Sequence, residues 1–222
     1  MVNSIVAPMS QEENGRPRSE DEDDVGLNPD EMADDPMTQF GIWFSAAVEA
    51  DIYEPDAFIL STASGDASPS ARAVLLKELT ASSLVFYTNL ESRKSMEIKA
   101  NPRVAATFTW LQLHRQVRFE GEAALVDDKT ADAYFASRPR GAQIAAHASR
   151  QSRPVPDRET LERVYADLDA AFTDTIPRPA WWSGWEITPR IVEFWQGRVN
   201  RFHDRIRYIR HGEGWITERL QP

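Results

Sequence analysis

Cysteine is absent from the 222 residues, which excludes disulfides and thiolate chemistry and fits a reducing compartment. No apolar run reaches the roughly 18 residues a membrane-spanning helix needs, so no membrane partner is expected. The opening MVNSIVAPMSQEENG has no basic start followed by an apolar stretch. It does not read as a secretory signal, and the expectation is a cytoplasmic protein. Glycine-rich dinucleotide and phosphate loops are missing, as is a Gly-x-Ser-x-Gly elbow. The four histidines, His114, His147, His203 and His211, lack metal-ligand spacing, so no metal site is expected. Any phosphorylated ligand would have to be held by dispersed side chains.

What is present starts with acid. The chain carries a net charge of −10, and between Gln11 and Pro36 eleven acids face only Arg16 and Arg18. That stretch holds −9, so the remainder is close to neutral. An acidic, nearly aromatic-free segment over 1–34 is expected to be a disordered leader, either a solubilising tail or a lid. It would repel nucleic acid, and no face pairs base-stacking aromatics with cations.

Order is expected from Asp35-Pro36, an N-cap followed by proline at the first helical position, and 35–222 reads as one domain. Phe40, Trp43, Phe44, Ala47 and Val48 then follow the spacing of a buried helical face. Strands are expected at 57–64, 71–77, 83–89, 103–110 and 115–126, with Gly121 a candidate bulge. Helices are expected over 92–100, on both sides of Arg138-Pro139-Arg140 within 128–150, and over 157–172. Short strands return as GWEITP, IVEFWQG, RIRYIR and GWITERL. Strands with interspersed helices, without regular βαβ alternation, indicate an α+β fold built on a mostly antiparallel barrel.

Cations in the neutral body are gathered into short segments. Arg72 and Lys77 bound one strand, Arg93 and Lys94 follow Ser92 at a helix start, and Arg115 precedes Gln116. Arg138 and Arg140 bracket a proline, while Arg201, His203 and Arg205 lie within five residues. Guanidinium forks, an ammonium and free helical N–H groups are what a phosphate needs, and Ser92-Arg93-Lys94 offers all three. Ordinary surface ion pairing is the plain alternative for each pair. Arg72 and Lys77 are an odd number apart, so a regular strand would aim them at opposite faces unless it ends or bulges near Lys77. Trp43, Trp110, Trp181, Trp182, Trp185 and Trp215 read as core. Trp195, between apolar strand residues and a cationic cluster, suits a flat electron-poor ring.

Six segments together carry a resemblance: VLLK (74–77), VFYTNLESRKSMEI (85–98), NPRVAATFTW (101–110), RQVRFEGEA (115–123), YFASRPRGAQIAAHASRQS (134–152) and EFWQGRVNRFHDRIRY (193–208). They resemble the pyridoxine/pyridoxamine 5'-phosphate oxidases from about Asp35 to the closing RLQP. The resemblance implies an FMN-binding split β-barrel with flanking helices, homodimeric, with two FMN sites at the subunit interface. It implies oxidation of pyridoxine or pyridoxamine 5'-phosphate to pyridoxal 5'-phosphate, with oxygen as acceptor and hydrogen peroxide released. Positions matching the family's FMN contacts are Arg72, Ala73, Val74, Leu75, Leu76, Lys77, Tyr87, Thr88, Arg93, Lys94, Gln116, Gln151, Ser152, Trp195 and Arg205. Those matching substrate contacts are Lys77, Tyr134, Arg138, Ala142, Arg201 and His203. By role, Arg72, Arg93 and Lys94 would grip the FMN phosphate, and Lys77, Tyr134 and Arg138 the substrate phosphate. Arg201 and His203 would be catalytic, lying over the substrate ring and orienting its C4' group toward flavin N5.

Three departures bear on the substrate. The leader lacks the Arg-x-x-Tyr segment that the family often carries, and Ala142 stands where a serine is common. Ala145 and His147 replace the usual glycine and tryptophan. Two other classes remain on the same barrel: a related oxidase of the phenazine-pathway type, and a non-catalytic binder of flavin, haem or pyridoxal phosphate.

Overall fold

The computed structural model describes residues 26–222. Helix α1 (Pro36–Glu49) opens as the sequence predicts, with the Asp35 carboxylate accepting from Met37 N and Thr38 N at 2.9 Å each and Pro36 in the first turn. Phe40, Trp43 and Ala47 are buried, but Val48 is 52% exposed. At 3.6 residues per turn Val48 sits about 80° round from Phe40, whereas Ala47 lies almost over it. Order begins earlier than Asp35. Leu27 and Met32 pack on the core, Tyr208 Oη donates to Ala33 O at 2.8 Å, and Leu27 N donates to Asp204 Oδ2 at 3.1 Å. Two apolar residues in an acidic stretch are enough to seat 27–35 as a strap; the rest of the expected leader lies outside the described residues.

Nine strands of the described residues form one antiparallel sheet: β1 (Ala57–Ala63), β2 (Pro69–Leu75), β3 (Glu78–Leu79), β4 (Leu84–Asn89), β5 (Arg103–Trp110), β6 (Arg115–Leu125), β7 (Trp182–Gln196), β8 (Asp204–His211) and β9 (Gly214–Leu220). The order runs β2-β1-β5-β6-β7, and the far edge of β7 then divides. Its first half, Trp182–Ile187, pairs with β4, and its second, Ile191–Gln196, pairs with β8. This division curls the sheet into a split half-barrel around an aromatic core, in which Phe40 lies 4.8 Å from Phe108 and 5.0 Å from Phe119. β2 stops at Leu75, which removes the parity conflict between Arg72 and Lys77: Lys77 lies beyond the strand.

The sequence suggested two short strands, GWEITP and IVEFWQG; the structure makes them one of 15 residues. Pro189 is tolerated inside it because it falls between the β4 and β8 pairings on one side and at the register shift with Gly121 of β6 on the other, where the ladder is already interrupted. Opposite, Gly121 sits at a register shift. A Cβ there would fall 2.1 Å from Thr188 O and 2.8 Å from Pro189 Cα, both backbone atoms that cannot swing aside. Gly121→Ala is therefore expected to cost about 1–3 kcal/mol or more, lowering the melting temperature by about 3–10 °C. An unchanged thermal melt would show that the bulge relaxes freely.

Helices α2 (Arg93–Ala100), α3 (Asp128–Ser137), α4 (Arg140–Ala148) and α5 (Arg158–Ala171) flank the barrel. Phe135, Ile144, Ala146, Ile176 and Trp182 form a smaller core beneath α3 and α4. Trp43, Trp110, Trp182 and Trp185 are buried as expected, while Trp215 is only partly covered and Trp181 is 37% exposed. Trp181 is held at the edge by its indole N–H, which donates to Ala146 O at 3.1 Å. No helix of the described residues is long and apolar enough to cross a membrane.

Candidate active site

The end of β2, the outer part of β4, the start of α2, α3 and the loop after α4 enclose a cleft of about 430 Å³. Its walls include Arg72, Lys77, Thr88, Lys94, Arg138 and Gln151. Ala73, Val74, Leu75, Tyr87 and Tyr134 complete the expected set there. The Leu76 side chain instead turns into the core, so only its backbone is available to a ligand. Larger hollows, of about 560 Å³ beside β1 and β5 and about 710 Å³ between the 149–155 loop and α5, hold neither Lys94 nor the stacked aromatics.

Lys94 sits in the first turn of α2, where Ser92 as N-cap turns it inward, and is 8% exposed. Its ammonium donates to Gln151 Oε1 at 2.9 Å and Ser92 Oγ at 3.2 Å, both neutral. Burial first, and the nearby Arg72 guanidinium second, lower its pKa to about 8. Thr88 Oγ1 donates to the same Gln151 oxygen at 3.0 Å, and Arg93 N donates to Ser152 Oγ at 3.2 Å. A buried ammonium with neutral hydrogen-bond partners and a second cation nearby favours an anion beside it.

At the other side of the cleft Tyr87 stacks on Tyr134 at 3.8 Å and on Trp182 at 5.4 Å. The Arg138 guanidinium lies 4.6 Å over Trp182, with one terminal nitrogen buried and unbonded. Lys77 Nζ is paired with Asp56 at 2.9 Å. Ala142 lies in the first turn of α4, next to but not among the residues walling the cleft.

Gln116, Trp195 and Arg205 are elsewhere. They are direct cross-strand partners on β6, β7 and β8, so they line up on one face. Gln116 and Trp195 wall a second hollow of about 270 Å³. The His203 ring lies 4.7 Å from Trp195, and its Nδ1 accepts from Arg198 N at 3.1 Å, which leaves the proton of the neutral ring on Nε2. Arg201, exposed beside it, has φ 60° and follows Asn200 at φ 55°, two adjacent left-handed residues that are not glycine. This second group stands at the opposite end of β7 from Trp182, thirteen residues and on the order of 40 Å along an extended strand.

Residues 44–170 match the model of the pyridoxamine 5'-phosphate oxidase family, and 182–222 match the pyridoxine 5'-phosphate oxidase C-terminal dimerisation region. The chain belongs to this oxidase family. A pyridoxine/pyridoxamine 5'-phosphate oxidase of Rubrobacter xylanophilus is 53% identical over 199 residues, covering 89% of this chain and 92% of the relative. One from Cupriavidus taiwanensis is 48% identical, covering 88% and 93%. Among solved structures, PhzG from Burkholderia lata in complex with tetrahydrophenazine-1-carboxylic acid is 30% identical with a TM-score of 0.84, covering 89% of this chain and 98% of that one. The family is one of FMN-dependent oxidases, and FMN is the cofactor. The residues present fit it: a buried ammonium beside a helix N-terminus suits a phosphate, and the Gln116–Trp195–Arg205 row offers a flat face with polar edges.

Three residues that hold the arginines of these two groups were not singled out from the sequence. Trp182 carries Arg138, and its spacing marks it only as core. Glu193, 3% exposed, bridges Arg118 at 2.9 Å and Arg205 at 2.9 Å. Glu97 does the same for Arg72 and Arg93. A lone acid in a helix or strand gives no pattern by which to find it.

Proposed function

We propose that this oxidase converts pyridoxine 5'-phosphate, pyridoxamine 5'-phosphate or both to pyridoxal 5'-phosphate, with oxygen as electron acceptor and hydrogen peroxide as co-product. The observation that carries the reading is the pairing, in one cleft, of two anion-seeking groups: Lys94 with Arg72, and Arg138 on its aromatic stack. Two phosphates, one on the cofactor and one on the substrate, account for both. The relatives' names point to the same substrates.

Bound FMN supplies the two-electron acceptor. This chain's residues bind and orient. Arg72, Arg93, Lys94, Thr88, Gln151 and Ser152 hold the cofactor phosphate, with the β2 end (Ala73 to Lys77) and Tyr87 beside it; Lys77, Tyr134 and Arg138 hold the substrate phosphate, near Ala142. Gln116, Trp195 and Arg205 face the flavin ring, and Arg201 with His203 orients the substrate, His203 offering Nε2–H as donor. Because the two groups occupy opposite ends of β7, the reading requires a homodimer in which each copy completes the other's site. Exposed Leu111 (75%) beside Trp195 and Phe202 (78%) beside His203 fit a face that a second copy covers. We assign the enzyme to the cytoplasm, with 35–222 as its oxidase domain.

The deciding experiment adds pyridoxine or pyridoxamine 5'-phosphate to the yellow protein without oxygen. Bleaching that reverses in air, with peroxide formed, is the expected result. A protein that stays yellow with both vitamers overturns the substrate. Ala142, which removes a hydroxyl near the phosphate set, and the similarity to PhzG favour a second reading, an aromatic carboxylate held by Arg138; bleaching by such an acid alone would establish it. Arg138→Ala is expected to raise KM for the phosphorylated substrate about 10–100-fold at nearly unchanged FMN content, since a charge-assisted contact is worth about 1.5–3 kcal/mol. A KM within twofold of the parent's would remove Arg138 from substrate binding.

A further inference from the structure

Glu97 is a buried carboxylate set beside a site for an anion, an arrangement that repels the ligand unless it does something else. It is 6% exposed, on α2, and takes donors from three elements. Arg93 Nε reaches it at 2.8 Å from the same helix, Arg72 at 3.2 Å from β2, Ser70 Oγ at 2.6 Å, and Thr62 Oγ1 from β1. Burial raises its pKa, yet hydrogen bonds from Ser70, Thr62, Arg93 and Arg72 outweigh that and bring it to about 2. It is therefore ionised at any working pH.

We propose that Glu97 is a positioning residue for the cofactor phosphate, fixing Arg72 and Arg93 and trimming the charge of the pocket to suit a phosphate dianion. The inference rests on the assignment of the first cleft to that phosphate. Arg72 and Lys94 wall the cleft and Arg93 precedes Lys94 at the start of α2; Glu97, paired with both arginines, leaves these three cations with two net positive charges, equal and opposite to a phosphomonoester dianion. Arg93 shows the positioning most clearly. Its side chain is 64% exposed and free to wander on a bare helix, yet it commits only Nε to Glu97, keeping both terminal nitrogens available. Arg72 is tied by Glu97, Ser70 and Thr62 together, so its orientation is set before any ligand arrives. Pre-ordered side chains avoid the loss of freedom that binding otherwise exacts.

The test uses the full chain, freed of flavin and re-titrated with FMN and with riboflavin, which lacks the phosphate, following flavin fluorescence. Glu97→Ala is expected to weaken FMN about 10–100-fold, the cost of ordering two long side chains, and to leave riboflavin unmoved. Glu97→Gln, which keeps one acceptor oxygen, should fall between Ala and the parent. Equal losses for both flavins would mean a merely structural role and overturn the proposal, as would unchanged FMN affinity in both variants. Should the alanine variant not fold, the glutamine variant still supplies the FMN-to-riboflavin comparison, with a smaller loss expected. Lys94→Ala serves as the control. If it lowers FMN affinity and the Glu97 variants do not, Glu97 alone is misassigned; if it too leaves the ratio unchanged, the cleft is not the phosphate site and both readings fall.

Discussion

Replacing Arg201 by alanine is expected to lower kcat by about 10²–10³-fold, the range for loss of a group that orients reacting atoms, while FMN stays bound. Arg201 is exposed, follows the end of β7 opposite Trp182, and is not among the residues walling the cleft that holds Lys94. The loop that carries it is held by other groups: His203 Nδ1 on Arg198 N at 3.1 Å, Arg198 to Asp204 at 3.0 Å, and Leu27 N to Asp204 at 3.1 Å. Removing the Arg201 side chain leaves those ties intact. Its left-handed backbone, at φ 60°, provides an internal control, since glycine would relieve the strain that alanine keeps. Both variants should lose turnover alike if the guanidinium is what matters. Recovery in Arg201→Gly would shift the role to the loop's conformation, and loss of FMN from either would place Arg201 in cofactor binding instead.

Lys94→Met should have opposite effects on cofactor and fold. Against the dianion, loss of the ammonium is expected to weaken FMN binding about 10–100-fold, from about 1.5–3 kcal/mol for a charged hydrogen bond. The flavin-free protein should meanwhile melt no lower, and by up to several degrees higher. Holding Lys94 charged at its buried position, with its pKa brought from 10.5 to about 8, corresponds to about 3 kcal/mol, which methionine avoids while filling much the same space. The sign with pH follows. Between about pH 8 and 10.5 the unfolded chain holds the Lys94 proton and the folded apoprotein has lost it, so this group's penalty on stability fades as pH rises through that window. With the ammonium assigned to the FMN phosphate as proposed, the FMN dissociation constant is expected to climb above pH 8 in the parent and stay level from pH 7.5 to 9 in the methionine variant. The groups facing Lys94 are the Arg72 guanidinium, the Ser92 hydroxyl and the Gln151 amide. A parallel pH dependence in both proteins would assign it elsewhere.

Much of this protein is legible without coordinates because its signals are local. Asp35-Pro36 writes a helix start in two residues, and alternation in RVAATFTW places β5 at Arg103–Trp110 to the residue. Ser92-Arg93-Lys94 announces a helix N-terminus with cations attached, and the structure puts Lys94 in the cleft wall. Gly121 is suspect as a glycine inside a strand, and a backbone carbonyl does lie where its Cβ would be.

What the sequence left undecided depends on neighbours distant along the chain. Whether GWEITP and IVEFWQG are two strands or one turns on what pairs with the chain through Pro189, and β6, which runs beside β7 from Trp185 to Gln196, makes them one. Leu27 and Met32 are two apolar residues in an acidic run, and they become a strap only because Asp204, Tyr208 and the core are there to receive that segment. Trp182 acts as core or as a platform for Arg138 according to what α3 lays over it. Glu97 and Glu193 are ordinary acids until strands and helix bring two arginines to each. The sequence by itself determined which residue types could meet a phosphate and an aromatic ring, because charge and ring chemistry belong to the residue. Tertiary structure alone decided that they form two groups at opposite ends of one long strand, because distance and shared faces are properties of pairing and register.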